Sequence, residues 1–167
     1  MRPGGGKSKG ASFERLICTQ LSLWLSRGKQ EDLLWRSSIS GGRSTVAAAK
    51  GKRFAQQAGD ISAIHPLGHK LTDNFYPECK TYRDLNFVGL LLRRGKLAEF
   101  WLETRKQAIH YKKHPFLIAK QNQQPIIVCL SREGQTLLGV NAHIMVPSMG
   151  LRIVLFDQFL KTAKVPT

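Results

Sequence analysis

Residues 59–80 read GDISAIHPLGHKLTDNFYPECK. Residues 60–65 have the pattern of a strand, His65-Pro66-Leu67-Gly68 has turn chemistry, and 70–80 reads as the strand returning beside the first. Pro77 predicts a bend or a local break in that second strand. Alternation along it puts Glu78 and Lys80 on one face and turns Cys79 toward the core. Folding back at 65–68 brings Asp60 near Glu78. Two carboxylates on neighbouring strands make an oxygen-ligand site suited to Mg²⁺, which retains waters and takes few protein ligands. Mn²⁺ is expected to substitute. The backbone carbonyl of Cys79 is a further candidate contact to the ion. Lys80 beside it is placed to hold a water for attack on a phosphodiester, or to stabilise charge growing on the phosphoryl oxygens. An ordinary solvated hairpin also carries Asp, Glu and Lys. Two details favour the metal reading: this is the one acidic segment of a basic chain, and Lys80 lies two residues beyond the second carboxylate.

The basic character is marked. The chain of 167 residues carries 26 Lys and Arg against 11 Asp and Glu, for a formal net charge of +15. Eleven of the basic residues fall in 1–58 against three acidic ones, and ten fall in 80–120 against three. Such a balance points to a polyanionic partner, nucleic acid first, since every phosphate neutralised releases counterions. The length suits one domain with a core that needs no disulfide or metal. Cys18, Cys79 and Cys129 are too few and too scattered for a disulfide framework or a zinc site. No apolar run reaches a membrane-spanning length, and MRPGGGKSKG lacks the apolar block of a secretory signal. A soluble protein is expected, with no membrane partner, in the cytoplasm of an archaeon or of a bacterial or phage-infected cell.

Working outward, residues 1–10 read as a flexible basic arm. Ser12 is the expected cap of a helix whose apolar face is Phe13, Leu16, Ile17, Leu21, Trp24 and Leu25, with Gly28 as its stop. Residues 32–39 suit a strand, and 40–58 a basic loop insertion. Amphipathic helices are expected over 84–93 and 96–112, and strands over 116–120 and 126–130. The tail offers strand-like runs at 136–140, 143–147 and 151–156, then a short helix at 157–163. The expected fold is α/β: a helix, three strands, a helix and a strand forming a core over 11–130. Extra C-terminal strands extend the same domain over 131–167.

Around the acidic segment, Arg36, Arg43, Lys50, Lys52 and Arg53 are candidates for phosphate contacts, because they cluster just upstream of Asp60. Lys106 and Gln107 on the third helix, and Lys120 at a strand end, are candidates for the same role. A helix-surface pair explains Lys106 and Gln107 equally well. Glu14, on the first helix, is a candidate outer or second-metal carboxylate. The histidines 65, 69, 110, 114 and 143 read as turn and helix-end residues, since neither close pair has a third ligand at convincing spacing. The tryptophans read as core, with Trp101 alone considered for base stacking.

The order Gly10…Phe13-Glu14-Arg15, Trp35-Arg36-Ser37…Ser40-Gly41, Gly59-Asp60-Ile61, Glu78-Cys79-Lys80 resembles the PD-(D/E)XK nuclease superfamily. Within it, the chain is most similar to archaeal-type Holliday junction resolvases and related phage and restriction-type endonucleases. The resemblance covers residues 10–120. It implies a restriction-endonuclease-like core with a central mixed sheet flanked by helices, and an Mg²⁺-dependent endonuclease acting in DNA recombination or repair. Asp60 and Glu78 would be metal ligands, Lys80 the catalytic lysine and Glu14 the carboxylate of helix one. Arg36, Ser37, Ser40 and Gly41 would lie close to the scissile strand. Gly59 stands where the superfamily's name has proline, and residues 42–58 lengthen the preceding loop. The competing expectation is a non-catalytic nucleic-acid-binding accessory on a degenerate nuclease fold. RNA remains open as substrate because phosphate contacts do not separate it from DNA. A homodimer is expected if the substrate is a symmetric junction.

Overall fold

A computed structural model describes residues 5–37 and 58–167 of the chain. Its centre is a five-stranded mixed sheet of β3 (Phe75–Tyr82), β4 (His114–Gln121), β5 (Ile126–Leu130), β6 (Ile144–Val146) and β7 (Leu151–Leu155), in the order β3-β4-β5-β7-β6. β3 runs parallel to β4, and the other pairs are antiparallel. Strand alternation divides the core into two layers. Phe116, Ile118, Val128 and Leu130 face one way, onto Ile17, Leu21 and Trp24 of α1 (Gly5–Ser26) and Phe156 and Phe159 of α5 (Phe156–Thr162). Leu117, Ala119, Ile127 and Cys129 face the other way, onto Leu97, Ala98 and Trp101 of α3 (Lys96–His110). β4, covered on both faces, is accordingly an unbroken apolar run rather than an alternating one. The restriction-endonuclease-like α/β expectation is met, with the sheet between helical layers.

The expected hairpin is not formed. β2 (Ile61–Ala63) pairs antiparallel with β1 (Leu34–Arg36), and α2 (Pro66–Thr72) separates it from β3. The turn chemistry opens a helix instead. His65 caps it, its Nδ1 accepting from the Leu67 N–H at 3.1 Å, and Pro66 occupies the first helical position. Gly68 lets α2 close on the chain, since a Cβ there would lie 2.5 Å from the Leu33 carbonyl oxygen.

Other elements also differ from expectation. α1 begins at Gly5, within the stretch read as an arm, and Ser12 lies inside it. No proline after Pro3 interrupts that ladder. Residues 84–93 form only a short 3₁₀ turn, Val88–Leu92, bounded by the left-handed Asn86 and Arg93. Residues 136–140 fall largely in α4 (Arg132–Leu138), capped by Ser131, whose Oγ accepts from the Gly134 N–H at 3.1 Å. The remaining tail strands, 143–147 and 151–156, correspond to β6 and β7.

Ser22 fixes the start of β1 against α1. Its buried hydroxyl donates to the Cys18 carbonyl and accepts from the Leu33 and Leu34 N–H groups, both at 3.1 Å. Ser22→Ala leaves two buried donors without a partner. Thermal unfolding should register a loss of about 2 kcal/mol, a Tm lower by roughly 4–8 °C.

Candidate active site

Asp60 is tied by two hydrogen bonds to the outer edge of β3 and by a third to Ser37, which follows β1. Its N–H donates to the Pro77 carbonyl at 2.8 Å, its Oδ2 accepts from the Cys79 N–H at 2.9 Å, and its carbonyl accepts from the Ser37 N–H at 2.8 Å. β3 ends the sheet, so its other edge alone is occupied by β4 and the Pro77 carbonyl and Cys79 N–H face outward. Pro77 is tolerated because it lies on this terminal strand. Gly59 makes the approach possible: its φ is +90°, and a Cβ there would lie 2.2 Å from the Pro77 oxygen. The expected proximity of Asp60 and Glu78 is thus reached without a hairpin.

Alternation places Tyr76, Glu78 and Lys80 on one face of β3 and sends Cys79 into the core beside α1. The Lys80 Nζ donates to the Glu78 Oε1 at 2.5 Å, both side chains being partly buried. Tyr76, which the sequence reading passed over, is buried and stacks on Tyr111 with ring centroids 5.6 Å apart. The period of two that links it to Glu78 and Lys80 was the available signal.

The electrostatics are those of a site short of positive charge. Burial, then the charge of Glu78, pushes the Asp60 carboxyl up to about 7, against the opposing bond from the Cys79 N–H and the charge of Lys80. Burial and then Glu78 and Asp60 also raise the Tyr76 hydroxyl. Burial works to lower Lys80, but the charge of Glu78 and their hydrogen bond outweigh it and raise the ammonium further. Lys80 therefore carries its proton at neutral pH. Burial raises the Cys79 thiol, whose side chain faces the core beside α1 and away from Glu78 and Lys80.

The donor set fits a hard divalent cation. Asp60 Oδ1 and Glu78 Oε2 make no hydrogen bond among the described residues, and carboxylate oxygens on a buried, mutually repelling pair suit Mg²⁺ or Mn²⁺. Among the described residues, no group of three or more His, Cys, Asp or Glu side chains comes together. Glu14 therefore does not join a common ligand set. Its Oε2 instead pairs with the Arg36 Nε at 2.7 Å, while its charge still reaches Asp60. This pair joins α1 to β1.

The remaining candidates separate by position. Ser37 is only 4% exposed, and its hydroxyl lies 2.5 Å from that of Ser62, so it supports the Asp60 loop rather than facing a ligand. Ser40, Gly41, Arg43, Lys50, Lys52 and Arg53 lie outside the described residues. On α3, Lys106 is exposed and the Gln107 Nε2 donates to the Glu103 Oε1 at 2.8 Å, the bond of a helix-surface pair. Lys120 lies opposite Thr81 of β3 in the β3–β4 register, at the far end of β3 from Asp60. Trp101 is not available to a base: it is wholly buried, and its Nε1 donates to the Met149 carbonyl. Trp35, expected in the core, is instead 53% exposed, because the short β1 turns Leu34 inward and its neighbour outward.

A helix-flanked mixed sheet with an Asp bound to its terminal strand, and Glu-x-Lys on that strand, defines a nuclease of the PD-(D/E)XK class. The chain belongs to the family described as "Phage putative PDDEXK endonuclease", which it matches over residues 5–163. No curated protein and no solved structure matches the chain. Among the described residues, no helix is long and apolar enough to cross a membrane.

The raised Asp60 carboxyl has a consequence for stability. Its folded pKa lies above the unfolded value of 3.8, so the folded state holds the proton more tightly. The associated stability is present below the unfolded pKa and is lost as pH rises to about 7. Asp60→Asn removes the charge and keeps an oxygen for the Cys79 N–H. In EDTA, its Tm should exceed that of the unsubstituted protein by about 3 °C or more at pH 8, and the gap should close toward pH 4.

Proposed function

We propose that the chain is a divalent-metal-dependent DNA endonuclease that hydrolyses phosphodiester bonds. Mg²⁺ is the working ion, and Mn²⁺ is able to replace it. The observation that carries the reading is the buried Asp60 carboxyl held at the outer edge of β3 within reach of the charge of Glu78, with the Lys80 ammonium on the Glu78 side chain. Asp60 and Glu78 hold the ion through their oxygens. The Cys79 carbonyl, which strand geometry turns to the same edge as its N–H, is a third contact. A divalent cation bound there lowers the pKa of water and offsets charge on the phosphate. Lys80 orients the attacking water and donates toward the phosphoryl oxygens as their charge grows. The water oxygen forms the new bond to phosphorus and gives up a proton to solvent, the bond from phosphorus to the sugar oxygen breaks, and the departing oxygen takes up a proton from solvent.

Glu14 acts through Arg36. The ion pair orients the guanidinium at the mouth of the site, where it meets a backbone phosphate. Arg43, Lys50, Lys52 and Arg53 extend that contact along the strand, with Ser40 and Gly41 beside the scissile phosphate. Lys106, Gln107 and Lys120 contact the duplex further out. On the resemblance of the motif order to Holliday junction resolvases, we read the substrate as structure-selective and the role as recombination or repair in a phage-infected cell, with a homodimer if that substrate is a symmetric junction.

A cleavage panel tests the reading: linear duplex, nicked, flap, single-stranded and four-way-junction DNA, each with Mg²⁺ and with EDTA. Cutting should require the metal and fall at least about a hundredfold in Asp60→Ala and in Glu78→Ala, with DNA binding retained. Undiminished cutting by Glu78→Ala would overturn the assignment. Tight binding with no cutting of any form would favour the accessory-protein reading.

A further inference from the structure

At the far end of β3 from Asp60, a groove of about 580 Å³ opens between the N-terminal half of α1 and the ends of β3 and β4. Lys9, Arg83 and Lys120 supply its charge, and Phe13, Leu16 and Tyr82 its apolar surface. No carboxylate lines it, and none of the three cations forms an ion pair among the described residues. Leu16 remains substantially exposed, so the groove presents apolar surface directly beside unneutralised positive charge, while the Tyr82 ring turns toward α3, edge-on to Phe100 and under Lys96.

That combination selects its ligand. A free anion has no use for the apolar wall, and an apolar molecule has no use for three cations. A duplex presents phosphates but keeps its base faces stacked inside. A nucleotide whose base has left the stack offers both parts at once, a phosphate and an apolar π-face. We propose that this groove binds an unpaired nucleotide of a DNA strand. The base lies against Leu16 and Phe13, and the adjoining phosphates lie on Lys9, Arg83 and Lys120. The choice of DNA as the polymer rests on the nuclease reading above.

Position supports the assignment. Tyr82 lies four residues along the same strand as Glu78, roughly 13 Å at the strand rise. The Tyr82 carbonyl accepts from the Asn122 N–H at 3.3 Å, which holds the ends of β3 and β4 together under the groove. A strand entering here is therefore separated from the carboxylates by only a few nucleotides. Selection of substrates with unpaired nucleotides near the cut follows from that distance, without base-specific contacts.

The test is equilibrium binding in EDTA, where no cleavage interferes, with fluorescein-labelled single-stranded DNA and a blunt duplex of the same sequence. The double variant Lys9→Glu/Arg83→Glu should weaken single-strand binding about tenfold or more. Lys161→Glu/Lys164→Glu, the same charge change near the C-terminal end of α1 and away from the groove, should weaken it about twofold or less. Leu16→Gln leaves the charge unchanged and should weaken single-strand binding about three- to fivefold while leaving the duplex unaffected. Equal losses in the two double variants, or a Leu16→Gln effect of the same size on duplex as on single strand, would overturn the groove assignment. The expected pattern without cleavage of any DNA form would uphold the groove and remove the nuclease reading.

Discussion

The attachment of Asp60 to the edge of β3 is the constraint on which the site depends. One residue uses its N–H, its carbonyl and a carboxylate oxygen to join the small β1–β2 pair to the main sheet. The terminal strand of a sheet would otherwise present unpaired backbone groups to solvent or to another chain. Here the same bonds that close that edge aim a carboxylate across it. The glycine at 59 is the local condition, because any side chain there would collide with the carbonyl that Asp60 must reach. The fold and the candidate chemistry are therefore stabilised by one set of contacts, and a change that loosens the edge loosens both.

The same arrangement stores electrostatic tension. A buried carboxyl beside a second carboxylate is costly when ionised, and the single ammonium of Lys80 is committed to Glu78. A proton relieves the tension at low pH, and the divalent cation proposed to bind here would relieve it at neutral pH. The two compete for the same oxygens, so ion binding and proton release are linked. The rest of the surface is strongly basic, which keeps a polyanion close to a pocket whose own charge would repel it. The proposed ion, held by the carboxylates, would resolve that conflict.

Much of this was legible in the chain. The Phe13–Leu25 spacing, the unbroken apolar run of β4, and the isolation of Asp60, Glu78 and Lys80 in the one acidic segment each carry a local physical signature. The misreadings share a cause. His65-Pro66 signals a turn and a helix start equally, and only the cap geometry decides between them. Residues 84–93 have helical composition, yet Asn86 and Arg93 take left-handed conformations that stop a helix from extending. Trp35 is exposed where a core position was expected, because aromatic residues suit core and surface alike and burial depends on partners distant in sequence. The pairing of Glu14 with Arg36, and the part of Ser22 in seating β1, are long-range contacts that no spacing rule announces.

The central claim is that a divalent cation binds between Asp60 and Glu78 at the outer edge of β3. Paramagnetic Mn²⁺ titrated into isotopically labelled protein tests it directly by NMR. The amide signals of Asp60, Cys79 and Lys80 should broaden first, at substoichiometric metal, and Glu78→Ala should abolish the effect. Broadening centred elsewhere, or unchanged by Glu78→Ala, would contradict the site.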